Sequence, residues 1–171
     1  MKSLILCHNL YADITPLTET ISSMEYASAP LGDEIENFQF MPQGLEDQFN
    51  YILNEQLELQ GDMGIFRKPN AMIHYEPFYQ HAAWLCIVAL APTQLTIHQH
   101  LAGHDVQYAI TNPEQFDQAQ CLTATCWRTL TSVAMEPNDF VFIRPWAWHS
   151  LSENQLVQIF LLNQNLSIKD I

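Results

Sequence analysis

The sequence predicts a mainly β protein, a sandwich or barrel, with one or two helices near its N-terminus. After residue 61 the chain consists of short strand-like segments separated by turn residues, and no helical periodicity interrupts them. Segments 84–91 and 140–143 are apolar on both faces, which is typical of strands buried between two layers. Many short strands at this spacing favour two packed sheets or a closed barrel.

The strands are predicted from runs of β-branched and aromatic residues. The segments after residue 61 are 64–67, 71–75, 84–91, 94–100, 106–110, 122–130, 140–143 and 156–163. Pro69, Pro92, Pro113 and Pro137 lie in the breaks between them, because proline favours turns and ends strands. Residues 3–7 predict a further short strand at the N-terminus.

The clearest helix is predicted at 44–58. Its apolar residues recur at steps of three and four, namely Leu45, Phe49, Ile52, Leu53 and Leu57. Glu46 and Asp47 suit its N-terminus, where the helix dipole favours negative charge. A second, shorter helix is an open alternative at Thr15, which would be the N-cap residue before Pro16.

The composition indicates one folded domain and excludes two classes of partner. The chain has 171 residues and is 48% hydrophobic, enough for a substantial core. Its 19 acidic and 6 basic residues give a formal charge of −13, whereas nucleic acids and anionic membranes bind cationic surfaces. Of the acidic residues, 11 lie between Asp13 and Asp62 and predict a solvated face. We expect residues 1–40 to form an acidic extension that packs on a β-barrel domain of residues 41–171.

The four cysteines predict free thiols and a reducing, cytoplasmic environment. Cys7, Cys86, Cys121 and Cys126 form no CxxC pair, and Cys86 lies in an apolar run typical of a core. The N-terminal apolar stretch is shorter than the roughly 7–15 residues of a secretion signal. No apolar run approaches the roughly 20 residues that a membrane-spanning helix needs.

A histidine-rich stretch is the clearest candidate for chemistry. His98 and His100 are two residues apart in a predicted strand, so both side chains point to one face. Two imidazoles in this arrangement can bind one Zn²⁺, Fe²⁺, Ni²⁺ or Cu²⁺ ion. His149 follows a buried strand and a proline, and would be a third ligand if the fold brings it back to this pair. His104 is a further candidate ligand, and Asp105 is a candidate ligand or base.

Leu95 and Ile97 alternate with the histidines along the same strand. If His98 and His100 face a cavity, this apolar pair faces outward and must be covered. The predicted helix at 44–58 or a second subunit would cover it. We therefore expect a homodimer.

The two histidine motifs resemble those of the cupin fold, a double-stranded β-helix or jelly roll. The first is the His98-x-His100 strand, and the second is His149 behind a turn that contains Pro145. The resemblance implies that the two motifs lie on neighbouring strands. It also implies that their histidines bind one divalent metal ion inside the barrel.

A closer resemblance is to the YhcH/YjgK/YiaL family, a cupin-like group that includes sialic-acid anomerase and the small subunit of evolved β-galactosidase. The spacing of its motifs agrees at His100, Asp105, Gln107, Pro145 and His149. The matching region, with its preceding helix, spans roughly residues 41–163. The resemblance implies a metal-dependent protein of carbohydrate metabolism, in which Asp105 and Gln107 are the catalytic candidates.

Aromatic and cationic residues around these motifs are candidates for substrate contacts. Aromatic faces near a cavity mouth suit sugar rings. Arginine suits a charged or polar group on the substrate. The candidates are Trp146, Trp148, Arg144, Tyr108 and Arg128.

These features leave three functions open. The first is a sugar anomerase, epimerase or isomerase, in which a metal ion at His98, His100 and His149 polarises a substrate oxygen. The second is a non-enzymatic cupin-like module that binds a small ligand or regulates a partner, since Leu101 stands where the family has an arginine. The third is a non-haem iron dioxygenase, which also uses histidine ligands and open metal positions.

Overall fold

The described part of the protein forms eleven strands and one helix. In this computed structural model it comprises residues 4–8, 10, 27–29, 32–38, 44–59, 63–69, 73, 82–101, 127–145, 147–152 and 156–163. The strands are β1 (Leu4–Cys7), β2 (Ala27–Ala29), β3 (Gly32–Phe38), β4 (Glu58–Leu59), β5 (Met63–Pro69), β6 (Ala82–Ala89), β7 (Thr93–His100), β8 (Trp127–Met135), β9 (Phe140–Ile143), β10 (His149–Leu151) and β11 (Leu156–Leu162). The helix is α1 (Leu45–Leu53).

The strands form two antiparallel sheets, which confirms the mainly β prediction. The large sheet has the order β1-β9-β6-β11-β5-β3-β2, and β4 also pairs with β11. The small sheet has the order β10-β7-β8. Most neighbouring strands are distant in sequence, as in jelly rolls, where the chain crosses repeatedly between sheets.

Three layers pack through two apolar clusters. On one face of the large sheet, Phe142 of β9 meets Phe49 of α1 edge to face, with ring centroids 5.1 Å apart. On the other face, Val141 of β9 packs in a cluster with Leu95 and Ile97 of the small sheet. Strands β6 and β9 are therefore buried on both faces, as their uninterrupted apolar sequences predict.

Helix α1 is confirmed but ends at Leu53 rather than at residue 58. Asn54 follows in the left-handed conformation, with φ 54°, which asparagine tolerates better than most residues. The Asn50 side chain then accepts a hydrogen bond from the Leu57 amide (2.9 Å) and donates one to the Leu57 carbonyl (3.1 Å). Leu57 remains buried, although it lies outside the helix. No helix in the described residues is long and apolar enough to cross a membrane.

Most of the predicted strands that fall on described residues are confirmed. Strands β1, β5, β6, β7, β9 and β11 lie within a few residues of their predicted positions. Strand β8 continues to Met135, beyond the predicted end at residue 130. Strands β2, β3, β4 and β10 were not predicted, because they are short or rich in charged and small residues. The predicted strand at 106–110, almost all of that at 71–75, and the helix at Thr15 lie outside the described residues.

The described segments before residue 40 are strands of the large sheet. β1 pairs with β9 from Leu4↔Ile143 to Cys7↔Phe140, and the Leu10 amide donates to the Asn138 carbonyl (2.9 Å). β3 pairs with β5. The division of the chain at residue 40 stays a prediction.

Candidate functional site

The small sheet has two chemically different faces. Along β7, Leu95 and Ile97 are buried and pack in the cluster formed with the large sheet; this is the inner face. Thr96 and His98 point the other way, to the outer face. The prediction that a helix or a second subunit covers Leu95 and Ile97 is therefore wrong. The large sheet covers them, because the apolar side of a strand packs on the largest apolar surface available to it.

His98 and His100 share the outer face, as their spacing predicts. The His98 amide donates to the Trp148 carbonyl (2.8 Å), so Trp148 lies opposite His98 in the β7–β10 ladder. Trp127 lies opposite His100 in the β7–β8 ladder. Directly opposed residues of antiparallel strands project to the same face. The four side chains therefore gather at one end of the small sheet, and we call them the His–Trp cluster.

Trp127 lies at the centre of the His–Trp cluster. Its ring centroid is 4.8 Å from His100, 4.9 Å from Trp148 and 6.4 Å from His98, each in an edge-to-face arrangement. His100 and Trp148 are only 7% and 5% exposed, whereas Trp127 and His98 are half-buried. The cluster thus places two imidazoles beside a low-polarity aromatic wall.

A β-bulge sets the position of Trp127. The register of β7 with β8 steps from Ile97↔Thr131 to His98↔Thr129, so Leu130 is an extra residue. Without this step Arg128, not Trp127, would lie opposite His100. Trp127 was missed from the sequence because strand composition gives no register between distant strands, and the bulge changes which residue faces the histidines.

His98 also contacts a hydroxyl on the outer face. Its Nε2 lies 2.8 Å from Oγ of Ser150, a hydrogen bond whose donor depends on the imidazole tautomer. Burial lowers the pKa of His98 from its usual value, which favours the neutral ring at neutral pH. The adjacent Thr96 and Ser132 hydroxyls are hydrogen-bonded across the same face at 3.0 Å. The outer face therefore offers neutral imidazole and hydroxyl groups.

The structure does not bring His149 to His98 and His100. His149 lies opposite Ile97 in the β7–β10 ladder, so its side chain belongs to the inner face. It is fully buried, and its Nδ1 donates to the Ala147 carbonyl oxygen at 2.8 Å. Among the described residues, no group of three His, Cys, Asp or Glu side chains is arranged to hold a metal ion. The structure therefore does not assemble the predicted metal site of His98, His100 and His149.

Neither candidate arginine joins the His–Trp cluster. Arg144 donates to the Ala83 carbonyl (2.7 Å), and its guanidinium carbon lies 3.6 Å from the centroid of a Trp84 ring. Burial lowers the pKa of Arg144, and the charge of Glu55 opposes that shift. Arg128 is exposed and lies opposite Gln99, which projects away from the histidine face. These contacts make Arg144 a structural link between β6 and β9 rather than part of the histidine site.

The remaining predicted site residues lie outside the described residues. They are His104, Asp105, Gln107, Tyr108 and Trp146. The first four follow the end of β7 at His100 by four to eight residues in the sequence.

His98 and His100 can supply two of the ligands of a metal ion. Imidazoles are good ligands for divalent transition metals, and those of His98 and His100 share a face here. Catalytic zinc sites use three protein ligands, so a further donor from another part of the chain is required. His149 does not supply it in this arrangement.

Comparisons with known proteins add information on the fold. No family model matches the sequence, and no curated protein matches it either. Among solved structures, the chain is similar to HygX from Streptomyces hygroscopicus, with a TM-score of 0.52 and 6% identity over 96% of this chain and 84% of that one. HygX was crystallised with nickel, 2-oxoglutarate and hygromycin B bound. HygX has a cupin-like fold, and this likeness confirms the predicted jelly-roll class.

Proposed function

We propose that the protein is a metal-dependent cupin-like enzyme of the anomerase, epimerase or isomerase type, acting on a small sugar or sugar-derived substrate. The observation that carries the proposal is the His–Trp cluster, in which His98 and His100 share one strand face beside Trp127 and Trp148. The jelly-roll fold and the spacing of the histidine motifs support it.

His98 and His100 would be two of the metal ligands. The third would come from the segment after β7, where His104 and Asp105 follow His100 by four and five residues. A divalent ion bound there would supply Lewis acidity toward a hydroxyl or carbonyl oxygen of the substrate. This assignment replaces His149 with a donor that is close to His100 in the sequence.

The surrounding residues would bind and orient the substrate. Trp127, which is half-buried, would offer aromatic surface to the apolar face of a sugar ring, and the buried Trp148 ring would support it from 4.9 Å away. Asp105 would hold or move the proton, because a carboxylate within reach of a hydroxyl acts as a general base. Gln107, Tyr108 and Trp146 remain proposed substrate contacts, and a cytoplasmic homodimer remains the proposed form of the protein.

A second candidate is a non-haem iron oxygenase. The likeness to HygX favours it, because that protein was crystallised with nickel and 2-oxoglutarate. Two histidines and one carboxylate, here His98, His100 and Asp105, are the ligand set of many such enzymes. Oxygen uptake with Fe²⁺ and 2-oxoglutarate would identify this chemistry, whereas exchange between sugar anomers measured by NMR would identify the first.

The test of the metal assignment is the metal content of protein purified without a histidine tag. We expect the wild-type protein and a His149→Ala variant to retain a divalent metal, and a variant with both His98→Ala and His100→Ala to lose it. Circular dichroism would show that all three proteins are folded. A metal-free wild-type protein after incubation with Zn²⁺, Fe²⁺, Ni²⁺ and Cu²⁺ would contradict the proposal and favour a non-enzymatic ligand-binding module.

A further inference from the structure

We propose that the His–Trp cluster and the hydroxyl groups beside it bind an uncharged sugar and discriminate against sugars that carry a carboxylate or a phosphate. The inference rests on the sugar substrate proposed above, but it does not require a bound metal ion. It starts from the polar groups on the outer face of the small sheet and from the positions of the basic residues in the chain.

A row of hydroxyl groups crosses the outer face next to the His–Trp cluster. Thr96 of β7 lies opposite both Ser132 of β8 and Ser150 of β10, so the three side chains project to the same face. The Thr96 and Ser132 hydroxyls are 3.0 Å apart, and the Ser150 hydroxyl lies 2.8 Å from Nε2 of His98. Hydroxyl groups both donate and accept hydrogen bonds, so this row suits the hydroxyl groups of a sugar.

The aromatic part of the outer face lies beyond His98. Trp127 lies opposite His100, which is four residues from Thr96, or about 13 Å along an extended strand. Trp127 is half-buried, so part of its ring is accessible to a ligand. His98 lies between Trp127 and the hydroxyl row. A sugar ring that packs on Trp127 therefore has hydrogen-bonding groups along one side.

None of the basic residues in the described part of the chain lies on this face. Arg128 lies opposite Gln99, and both residues project away from the histidines. Arg144 donates to a backbone carbonyl of β6 in the large sheet. Arg67 and Lys68 belong to β5, which is also a strand of the large sheet. The outer face of the small sheet points away from the large sheet, so these strands bring no cation to it.

The sequence limits what the remaining residues can add. The chain has six basic residues, and the two outside the described segments are Lys2 and Lys169. Residues 102–126, which follow β7 and precede β8 in the sequence, contain no lysine or arginine. Whatever their placement, they therefore add no permanent positive charge to the His–Trp cluster.

A carboxylate or a phosphate on the ligand requires such a charge. Proteins commonly bind these groups through charge-assisted hydrogen bonds from arginine or lysine. On this face an anion would exchange water for aromatic and hydroxyl groups, on a chain with a formal charge of −13. A neutral sugar makes the same hydrogen bonds without this cost. The outer face is therefore expected to select uncharged sugars.

The first experiment compares neutral and charged forms of the same sugars by NMR titration of the full-length protein. The buffer is at about pH 8, where an unperturbed imidazole is neutral, and contains EDTA, because a metal ion would itself bind a carboxylate. The probes are the methyl glycosides of glucose, galactose and mannose, with the corresponding uronates and 6-phosphates. We expect a neutral glycoside to bind about tenfold or more tightly than its charged forms.

Two other results of this experiment would contradict the inference in different ways. Equal or tighter binding of the charged forms would overturn the inference and leave the proposed sugar substrate in place. No binding of any probe would overturn the proposed sugar substrate and the inference with it.

The second experiment adds a positive charge to one face or the other. Ser132→Lys and Thr129→Lys place it at exposed positions of the outer face, whereas Gln99→Lys places it on the opposite face as a matched control. We expect the affinity for a uronate, relative to its neutral glycoside, to rise about two- to fivefold in the first two variants, as for an exposed ion pair, and to stay unchanged in the control. Circular dichroism would verify that the variants are folded. An unchanged ratio in both outer-face variants, or an equal rise in Gln99→Lys, would overturn the assignment of the sugar to this face.

Discussion

The two faces of the small sheet show how one strand divides structural from chemical residues. On the inner face Leu95 and Ile97 are buried against the large sheet, and His149 is fully buried opposite Ile97 in the β7–β10 ladder. On the outer face His98 and His100 meet Trp127 and Trp148. A strand alternates its side chains with a period of two, so neighbouring residues in sequence have different surroundings. His149 therefore belongs with the buried residues of the inner face, although its side chain has the same chemistry as those of His98 and His100.

The largest effect is expected from the inner face. Leu95→Ala should lower the free energy of unfolding by about 2–5 kcal/mol, because it removes a fully buried side chain and leaves a cavity. Gln94→Ala, at the exposed neighbouring position, should change it by less than about 0.5 kcal/mol. Urea unfolding measures both. Equal effects would contradict the division between inner and outer faces.

His149→Ala tests whether this histidine is structural. The variant loses a buried hydrogen bond to the Ala147 carbonyl, so we expect a loss of about 1–3 kcal/mol in unfolding free energy. Its metal content should match the wild type at temperatures where both are folded. A stable variant that has lost its metal would reverse the assignment and make His149 a ligand.

Trp127→Ala tests whether the ring at the centre of the His–Trp cluster contributes to stability and to ligand binding. The variant loses edge-to-face contacts at 4.8 and 4.9 Å, each contributing about 0.5–1.5 kcal/mol beyond burial. We expect stability to fall by about 1–3 kcal/mol and affinity for a sugar ligand to fall with it. Trp127→Phe should retain most of both. Unchanged ligand affinity in Trp127→Ala, measured by calorimetry, would remove this residue from the proposed site.

Apart from the Gln94→Ala control, the smallest effect is expected from Thr96→Ala, on the outer face beside the cluster. The variant loses a hydroxyl contact with Ser132 in an exposed position, so the unfolding free energy should change by about 1 kcal/mol or less. Leu95→Ala is the most direct comparison, because Leu95 is the neighbouring residue on the same strand and its side chain lies on the opposite face. A loss as large as that of Leu95→Ala would mean that Thr96 itself is buried in the folded protein.

The sequence predicts the strands better than the relations between them. The apolar runs of β6 and β9 identify buried strands, and the two-residue spacing of His98 and His100 gives their common face. Composition does not encode the register of β10 on β7, which moves His149 to the inner face. Nor does it reveal the bulge at Leu130, which puts Trp127 in place of Arg128 beside His100.

The measurement that tests the account most directly is an anomalous-scattering map of a crystal grown with a divalent metal. We expect a peak about 2.1 Å from a ring nitrogen of His98 and from a ring nitrogen of His100, on the outer face of the small sheet. His149 should lie on the opposite face, bonded to the Ala147 carbonyl and away from the peak. A peak coordinated by His98, His100 and His149 together would contradict the separation of the two faces.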